Sequence, residues 1–167
     1  MAYISFQPND YFNTKIYSGT GSSNALTGVG FQPDFTWIKA RSTTYSHTLT
    51  DAVRGVTKHN ASNNSNVEYT STTEITSFDS DGFTVGTDSG VNNGSHTFAS
   101  WNWKANGQGS SNTDGGINTT YTSANTTSGF SIVTWTGTGS ASSIGHGLGV
   151  KPSMVILKST SNGYGWY

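Results

Sequence analysis

Cysteine is absent from the 167-residue chain, which excludes a disulfide framework and a thiolate zinc site. Charge is scarce as well. Lys and Arg number 8 against 9 Asp and Glu, so charged residues make up 10% of the chain and the formal net charge is -1. An ordinary soluble domain carries roughly 25% charged residues, and so weak a balance leaves no basic field to hold a nucleic-acid backbone. No apolar run approaches the ~20 residues of a membrane-spanning helix, so no membrane insertion is expected. The opening segment from Met1 to Pro8 has neither the basic region nor the apolar stretch of a secretory signal, and none is expected.

About half of the chain is Ser, Thr, Asn and Gly. Leu, Ile, Val and Phe are few enough to raise the question of disorder, but disorder also calls for high net charge, which is missing. Aromatic residues answer the question from the other side. They make up 13% of the chain, with 5 Trp, 8 Tyr and 8 Phe, and each buried ring removes on the order of 150–250 Å² from water. A folded chain with an aromatic-rich core and a polar, uncharged surface is expected.

Helix signals are poor. The Ser-, Thr- and Asn-rich stretches favour side-chain bonds that compete with the helical ladder, and the best local candidate, Thr50 to Gly55, leaves room for about one turn between its capping residue and its glycine. Strand signals recur instead, at Lys15–Tyr17, Phe35–Lys39, Glu74–Phe78, Gly82–Val85, His96–Lys104, Phe130–Trp135 and Met154–Lys158. Gly, Asn, Asp and Ser clusters separate them. This pattern predicts an all-β fold, an antiparallel β-sandwich or jelly roll of the lectin-like type. The strands Phe35–Ala40 and Met154–Lys158 are apolar on both faces, as in strands that are central or lie under a neighbouring module or subunit. In His96–Lys104, Ala99, Trp101 and Trp103 share the apolar face.

An internal repeat organises the chain. Tyr17-Ser18-Gly19-Thr20-Gly21-Ser22 aligns with Trp135-Thr136-Gly137-Thr138-Gly139-Ser140. After a one-residue gap, Gly28-Val29-Gly30-Phe31-Gln32-Pro33 aligns with Gly147-Leu148-Gly149-Val150-Lys151-Pro152, and the strands that follow, Asp34–Lys39 and Ser153–Lys158, match in type. The offset is about 119 residues, the separation of Gly28 and Gly147, which is the size of a domain. Residues 1–105 therefore read as a first β-sandwich module, 106–116 as a Gly/Ser/Asn linker, and 117–167 as the start of a second, related and incomplete module. In the alternative reading, the second hairpin completes the first sandwich.

Chemistry-bearing motifs are few. The four histidines, His47, His59, His96 and His146, accompany no Gly-x-Ser-x-Gly elbow. Asp79-Ser80-Asp81-Gly82 offers two carboxylates to calcium but lacks the further acids of a complete loop, and the same residues suit a tight turn. The glycine clusters open no helix, so they form no dinucleotide site. No pair of acids stands out for glycoside hydrolysis. Trp101 and Trp103 offer flat faces for sugar stacking, though core packing is the commoner fate of such side chains. No catalytic residue, metal ligand or cofactor is expected.

Several stretches resemble tandem modules of marine bacteriophage virion proteins, of the kind found in phages of cyanobacteria and Pelagibacter-like hosts. They are Tyr11–Tyr17, Gly28–Asp34, Trp37-Ile38-Lys39, Asp51–Gly55, Ser77–Phe83, Trp101–Lys104, Gly129–Val133 and Gly145–Gly149 with Pro152. The resemblance covers almost the whole chain. It implies a non-enzymatic structural protein of the particle, a tail fibre, appendage or capsid-surface fibre made in the host cytoplasm and located in the virion. Other virion proteins, further copies of the same chain and a host-surface glycan are the partners expected. A glycan-binding module and a polysaccharide depolymerase, with Asp79 and Asp81 as its acids, are the competing readings. Tyr3, Ile4, Phe6 and Pro8 are candidates for docking the protein onto the particle.

Overall fold

The computed structural model describes residues 7–167. β-Branched and aromatic residues form short strands wherever they alternate between Gly/Asn/Asp turns. In chain order these are β1 (Phe12–Ser18), β2 (Asn24–Thr27), β3 (Phe35–Ala40), β4 (Thr48–Asp51), β5 (Lys58–Asn60), β6 (Tyr69–Thr70), β7 (Ile75–Asp79), β8 (Gly82–Val85), β9 (Thr97–Trp103), β10 (Tyr121–Asn125) and β11 (Phe130–Thr134). One short helix, α1 (Ser89–Asn92), is capped by the Asp88 side chain on the Gly90 N–H. No helix of the described residues is long and apolar enough to cross a membrane.

All strand pairs are antiparallel. A large sheet of six strands runs in the order β1-β9-β3-β4-β5-β6, a small sheet of three runs β2-β8-β7, and β10 and β11 form a separate hairpin. The expected strands from Lys15 to Trp135 all fall on observed ones. β3 is central, one of the two placements its apolar faces allowed, with β9 on one side and β4 on the other. The Thr50–Gly55 segment finishes β4 and then makes a single turn, in which Gly55 N–H bonds the Asp51 carbonyl at 3.0 Å.

The core lies between the large and small sheets. Tyr17, Ile38, Ala40 and Phe98 from the large sheet meet Leu26, Ile75, Phe83 and Val85 from the small one, and Val91 of α1 closes the end. Burying an aliphatic or Phe side chain of this kind contributes about 1.5–3 kcal/mol. Tyr17 stacks on Phe98 at 5.2 Å and donates its hydroxyl to the Val91 carbonyl at 2.8 Å. Burial pushes the Tyr17 phenol well above its usual range.

The two faces of β9 differ in burial. Phe98, Ser100 and Asn102 are fully buried, whereas Trp101 and Trp103 are half-buried on the opposite face. The polar residues tolerate the inside because they bond one another. Asn102 donates to Ser100 Oγ at 3.0 Å and to the Asn13 carbonyl at 3.1 Å, and Thr36 donates to Asn102 Oδ1 at 3.2 Å. Satisfied in this way, a buried amide regains from the protein the hydrogen bonds it gives up to water.

The second half of the chain is built differently. Asn106–Gly116, expected as a linker, runs beside β10, with an isolated bridge between Ser110 and Thr122 and a bond from Asn106 N–H to Ser123 Oγ at 2.8 Å. Phe130 ties the β10–β11 hairpin to the large sheet by packing on Trp103 at 5.9 Å and Phe35 at 6.1 Å. Met154–Lys158, expected as a strand, contains no strand. Only Lys158 forms a bridge, to Trp166, because no neighbouring strand among the described residues offers Met154–Leu157 a ladder.

Candidate functional site

The outer face of the large sheet carries an aromatic row. Register places Phe12, Trp103 and Phe35 side by side across β1, β9 and β3, with Trp101 and Trp37 paired in the next rank. Trp103 packs against Phe12 at 4.8 Å, Phe35 at 5.2 Å and Phe130. Its ring is packed among three others and stays half-buried, so it serves packing on this face. Trp37 donates its indole N–H to His47 Nδ1 at 2.7 Å, and burial, with Lys39 nearby, holds the His47 imidazole below its usual pKa.

The acids proposed for calcium or sugar chemistry hold turns instead. Asp79 accepts from the Thr84 hydroxyl at 2.7 Å within the β7–β8 hairpin. The two carboxylate oxygens of Asp81 accept the Gly28 N–H at 2.9 Å and the Gly30 N–H at 2.7 Å. These bonds lower the Asp81 pKa. They also explain the repeated Gly-x-Gly motif in its first copy, where both glycines have positive φ, 81° and 91°, and turn their N–H groups to one carboxylate. Among the described residues, no group of three or more His, Asp or Glu side chains is arranged to hold a metal ion.

A titratable cluster lies under the β4–β6 end of the large sheet. His59 is fully buried, with Nδ1 at 2.6 Å from Thr50 Oγ1 and 3.5 Å from Glu74 Oε2. Tyr69 donates to the same Glu74 oxygen at 3.2 Å. Burial pushes the Glu74 carboxyl up to about 7 and the His59 imidazole down, both favouring the uncharged forms. Beside them Arg54 bonds Asp51 at 2.7 Å and Glu68 at 2.9 Å. Burial alone would lower the Arg54 pKa, but these two carboxylates raise it overall. Neither Thr50 nor His59 reaches solvent, whereas Tyr69, at the edge of the cluster, is 38% exposed.

A second buried hub escaped the sequence reading. Asn92 has no solvent exposure and donates to the Gly86 carbonyl at 2.6 Å, while its Oδ1 accepts the Thr20 N–H at 2.9 Å. It fastens the first Ser-Gly-Thr-Gly-Ser turn onto α1. A Cβ on Gly19 of that turn would collide with the Asn93 carbonyl, whereas nothing lies within 4 Å of the matching position on Gly137 in the second copy.

Two shallow depressions lie on the surface of the described residues. One, of about 330 Å³, is lined by Asn106, Ser110, Asn112, Thr113, Asp114 and Gly147 among others. The other, of about 250 Å³, lies between Pro8, Tyr11, Phe12, Trp103 and Phe130. Of the candidate docking residues, Pro8 is exposed and opens a 3-10 turn, Pro8–Asp10. Tyr3, Ile4 and Phe6 lie outside the described residues.

The most distinctive surface feature is apolar. Val150, Met154, Val155, Ile156 and Leu157 are exposed by 69, 76, 59, 55 and 41%. Their sequence counterparts, Phe31 and Phe35 to Ile38, lie in or beside the buried centre of the large sheet. Sequence comparison then places the chain. It belongs to the family described as domain of unknown function DUF7483, whose model matches residues 7–167. No curated protein and no solved structure matches it.

Proposed function

We propose that this DUF7483 chain is a non-enzymatic structural protein of a bacteriophage particle, a fibre or surface appendage that works by assembling with other virion proteins and with its own copies. The observation that carries the reading is the exposed apolar run Met154–Leu157 with Val150. Contiguous apolar surface of this kind marks a site of association in a soluble protein. The resemblance of Tyr11–Tyr17, Ser77–Phe83 and the other stretches to marine phage virion modules supplies the context. In this reading residues 1–105 form a lectin-like β-sandwich module, and residues 117–167 belong to a second, related module whose stretch 154–157 joins no strand pair among the described residues. The bare surroundings of Gly137 support that reading. No catalytic step is included, since Asp79 and Asp81 are engaged in holding turns.

The test is mass spectrometry of purified, fractionated particles together with labelling by an antibody against residues 12–103. The protein is expected at stoichiometric abundance on the particle surface. Its confinement to infected-cell lysate, with none in purified particles, overturns the proposal.

A second reading, binding of a host-surface glycan, is favoured by the amide- and hydroxyl-lined depression around Asn106, Asn112 and Thr113. Side chains of this type recognise neutral, hydroxyl-rich ligands by hydrogen bonds. Glycan-array binding that is lost on Asn112→Ala supports it, and the absence of any binding removes it.

A further inference from the structure

We propose that copies of this chain join head to tail, with the Ser153–Ile156 stretch of one copy adding as an antiparallel strand to the free edge of β1 in the next. The inference rests on the assembly reading above and names the partner of its apolar run.

The donor stretch has the side chains of a strand without the ladder of one. Met154 and Ile156 alternate with Val155, all three more than half exposed. Among the described residues, no main-chain hydrogen bond reaches Ser153–Ile156. The stretch is nevertheless anchored at its end, where Leu157 and Tyr167 exchange two main-chain bonds of 2.8 and 3.1 Å. Its counterpart in the first copy of the repeat, β3, lies between two antiparallel strands, so the same sequence pattern takes strand neighbours when they are present.

The acceptor is an unprotected sheet edge. Among the described residues β1 has one strand neighbour, β9. It is seven residues long and in unbroken register, with Ile16 exposed by 63% and Phe12 by 39%. Natural sheet edges are usually blunted by proline, bulges or outward lysines. β1 has no proline and no bulge, and the ammonium of its one lysine, Lys15, lies beside Gly28. The Thr14 N–H bonds the Asn13 side chain at 2.9 Å. Strand addition would give this edge main-chain partners and apolar cover, with Met154 opposite Ile16 and Ile156 opposite Thr14, diagonal to Phe12.

Donor and acceptor are different surfaces of one chain. Each copy therefore offers both, and repeated contacts build a ring or an open filament, not a closed dimer. Such growth suits a fibre.

The experiment is sedimentation of the full chain over a concentration series, with two sets of variants. Wild type is expected to grow beyond dimer as concentration rises. Ile16→Lys removes the acceptor, and Met154→Lys with Ile156→Lys removes the donor. Each set is expected to weaken association at least about tenfold, because a charge would be left against an apolar partner. All these positions are exposed, so thermal melting should not change, and Thr14→Lys on the same edge provides a second acceptor variant. Mixed together, the Ile16→Lys and the Met154→Lys/Ile156→Lys proteins are expected to form a one-to-one heterodimer and to stop there, since one intact donor meets one intact edge. Three results overturn the inference: a monomeric wild type at ~500 µM, a wild type that stops at dimer, or association indifferent to Ile16→Lys and Thr14→Lys. The last would assign the contact to symmetric pairing of the 153–156 stretch with itself. The two proposals fail separately: monomeric protein that is present in particles removes only this one, and associating protein that is absent from particles removes only the former.

Discussion

Phe35–Ala40 and Ser153–Lys158 follow the same Gly-x-Gly-x-x-Pro turn, yet one is the centre of the large sheet and the other forms no strand. The difference lies in what surrounds them. β3 is flanked by β9 and β4, covered on one face by Phe83 and its neighbours and on the other by the aromatic row. The later stretch is held at its end, where Leu157 exchanges main-chain bonds with Tyr167 and the Lys158 ammonium bonds the Ser65 and Tyr164 carbonyls at 3.2 and 2.7 Å. A strand is stabilised by cross-strand pairs and buried faces, so a strand-like sequence without neighbours remains irregular. The turns repeat the lesson. Gly19 is required by the backbone of Asn93 pressed against it, whereas Gly137 has open space.

This contrast can be broken by substitution, beginning where the effect is largest. Ile38 and Leu157 are counterparts in the repeat. Ile38→Ala, at a site with no exposure, is expected to cost about 2–5 kcal/mol in urea unfolding. A cost below ~1 kcal/mol would show that the sheet-to-sheet core does not govern stability. Asn92→Ala comes next, at about 1–3 kcal/mol, since it strands the Gly86 carbonyl and the Thr20 N–H. Phe130→Ala is expected to cost less, about 0.5–1.5 kcal/mol for the lost ring contacts, and to speed proteolysis near 104–110 as the β10–β11 hairpin loosens. Intact resistance in that variant would mean the hairpin is held by its main-chain bonds. Leu157→Ala closes the series with a change inside about ±0.5 kcal/mol, the usual range for a surface site.

The buried cluster adds a dependence on pH. Glu74 has a raised pKa in the folded state, so its contribution to stability is present below about 4.5 and is lost as pH rises to about 7. His59 has a lowered pKa, so its contribution is present above its ordinary 6.5 and is lost as pH falls. The two slopes oppose each other in wild type. Glu74→Gln removes the first, and urea midpoints for this variant are expected to rise from pH 5 to pH 7 more steeply than those of wild type. Parallel curves for the two proteins would show that Glu74 does not carry its proton in the folded state.

Much of the fold was legible in the sequence because alternation, aromatic content and turn residues are local signals. β1, β3, β7, β8, β9 and β11 all follow from them. The missed strands lack those signals. β4 is Thr-Leu-Thr-Asp and β5 is Lys-His-Asn, polar segments that enter the large sheet with Arg54 bonded to Asp51, and with Thr50 and Glu74 beside His59. The inward face of β9 was not legible for the same reason. Ser100 and Asn102 look like surface residues until Thr36 and Asn13 are placed beside them. Of the candidate assembly surface, the doubly apolar character of 154–158 was legible. Its exposure was not, since that depends on the absence of neighbours.

By itself, then, the sequence determined the β class, the turn positions, the repeat and the lack of charge, all of which act over a few residues or over the whole composition. Tertiary structure decided which copy of the repeat is enclosed, which face of β9 is inside and which acids are bound up in turns. Those outcomes depend on contacts between residues far apart in the chain, such as Asp81 with Gly28 and Gly30 or Asn92 with Thr20, and no local pattern encodes them.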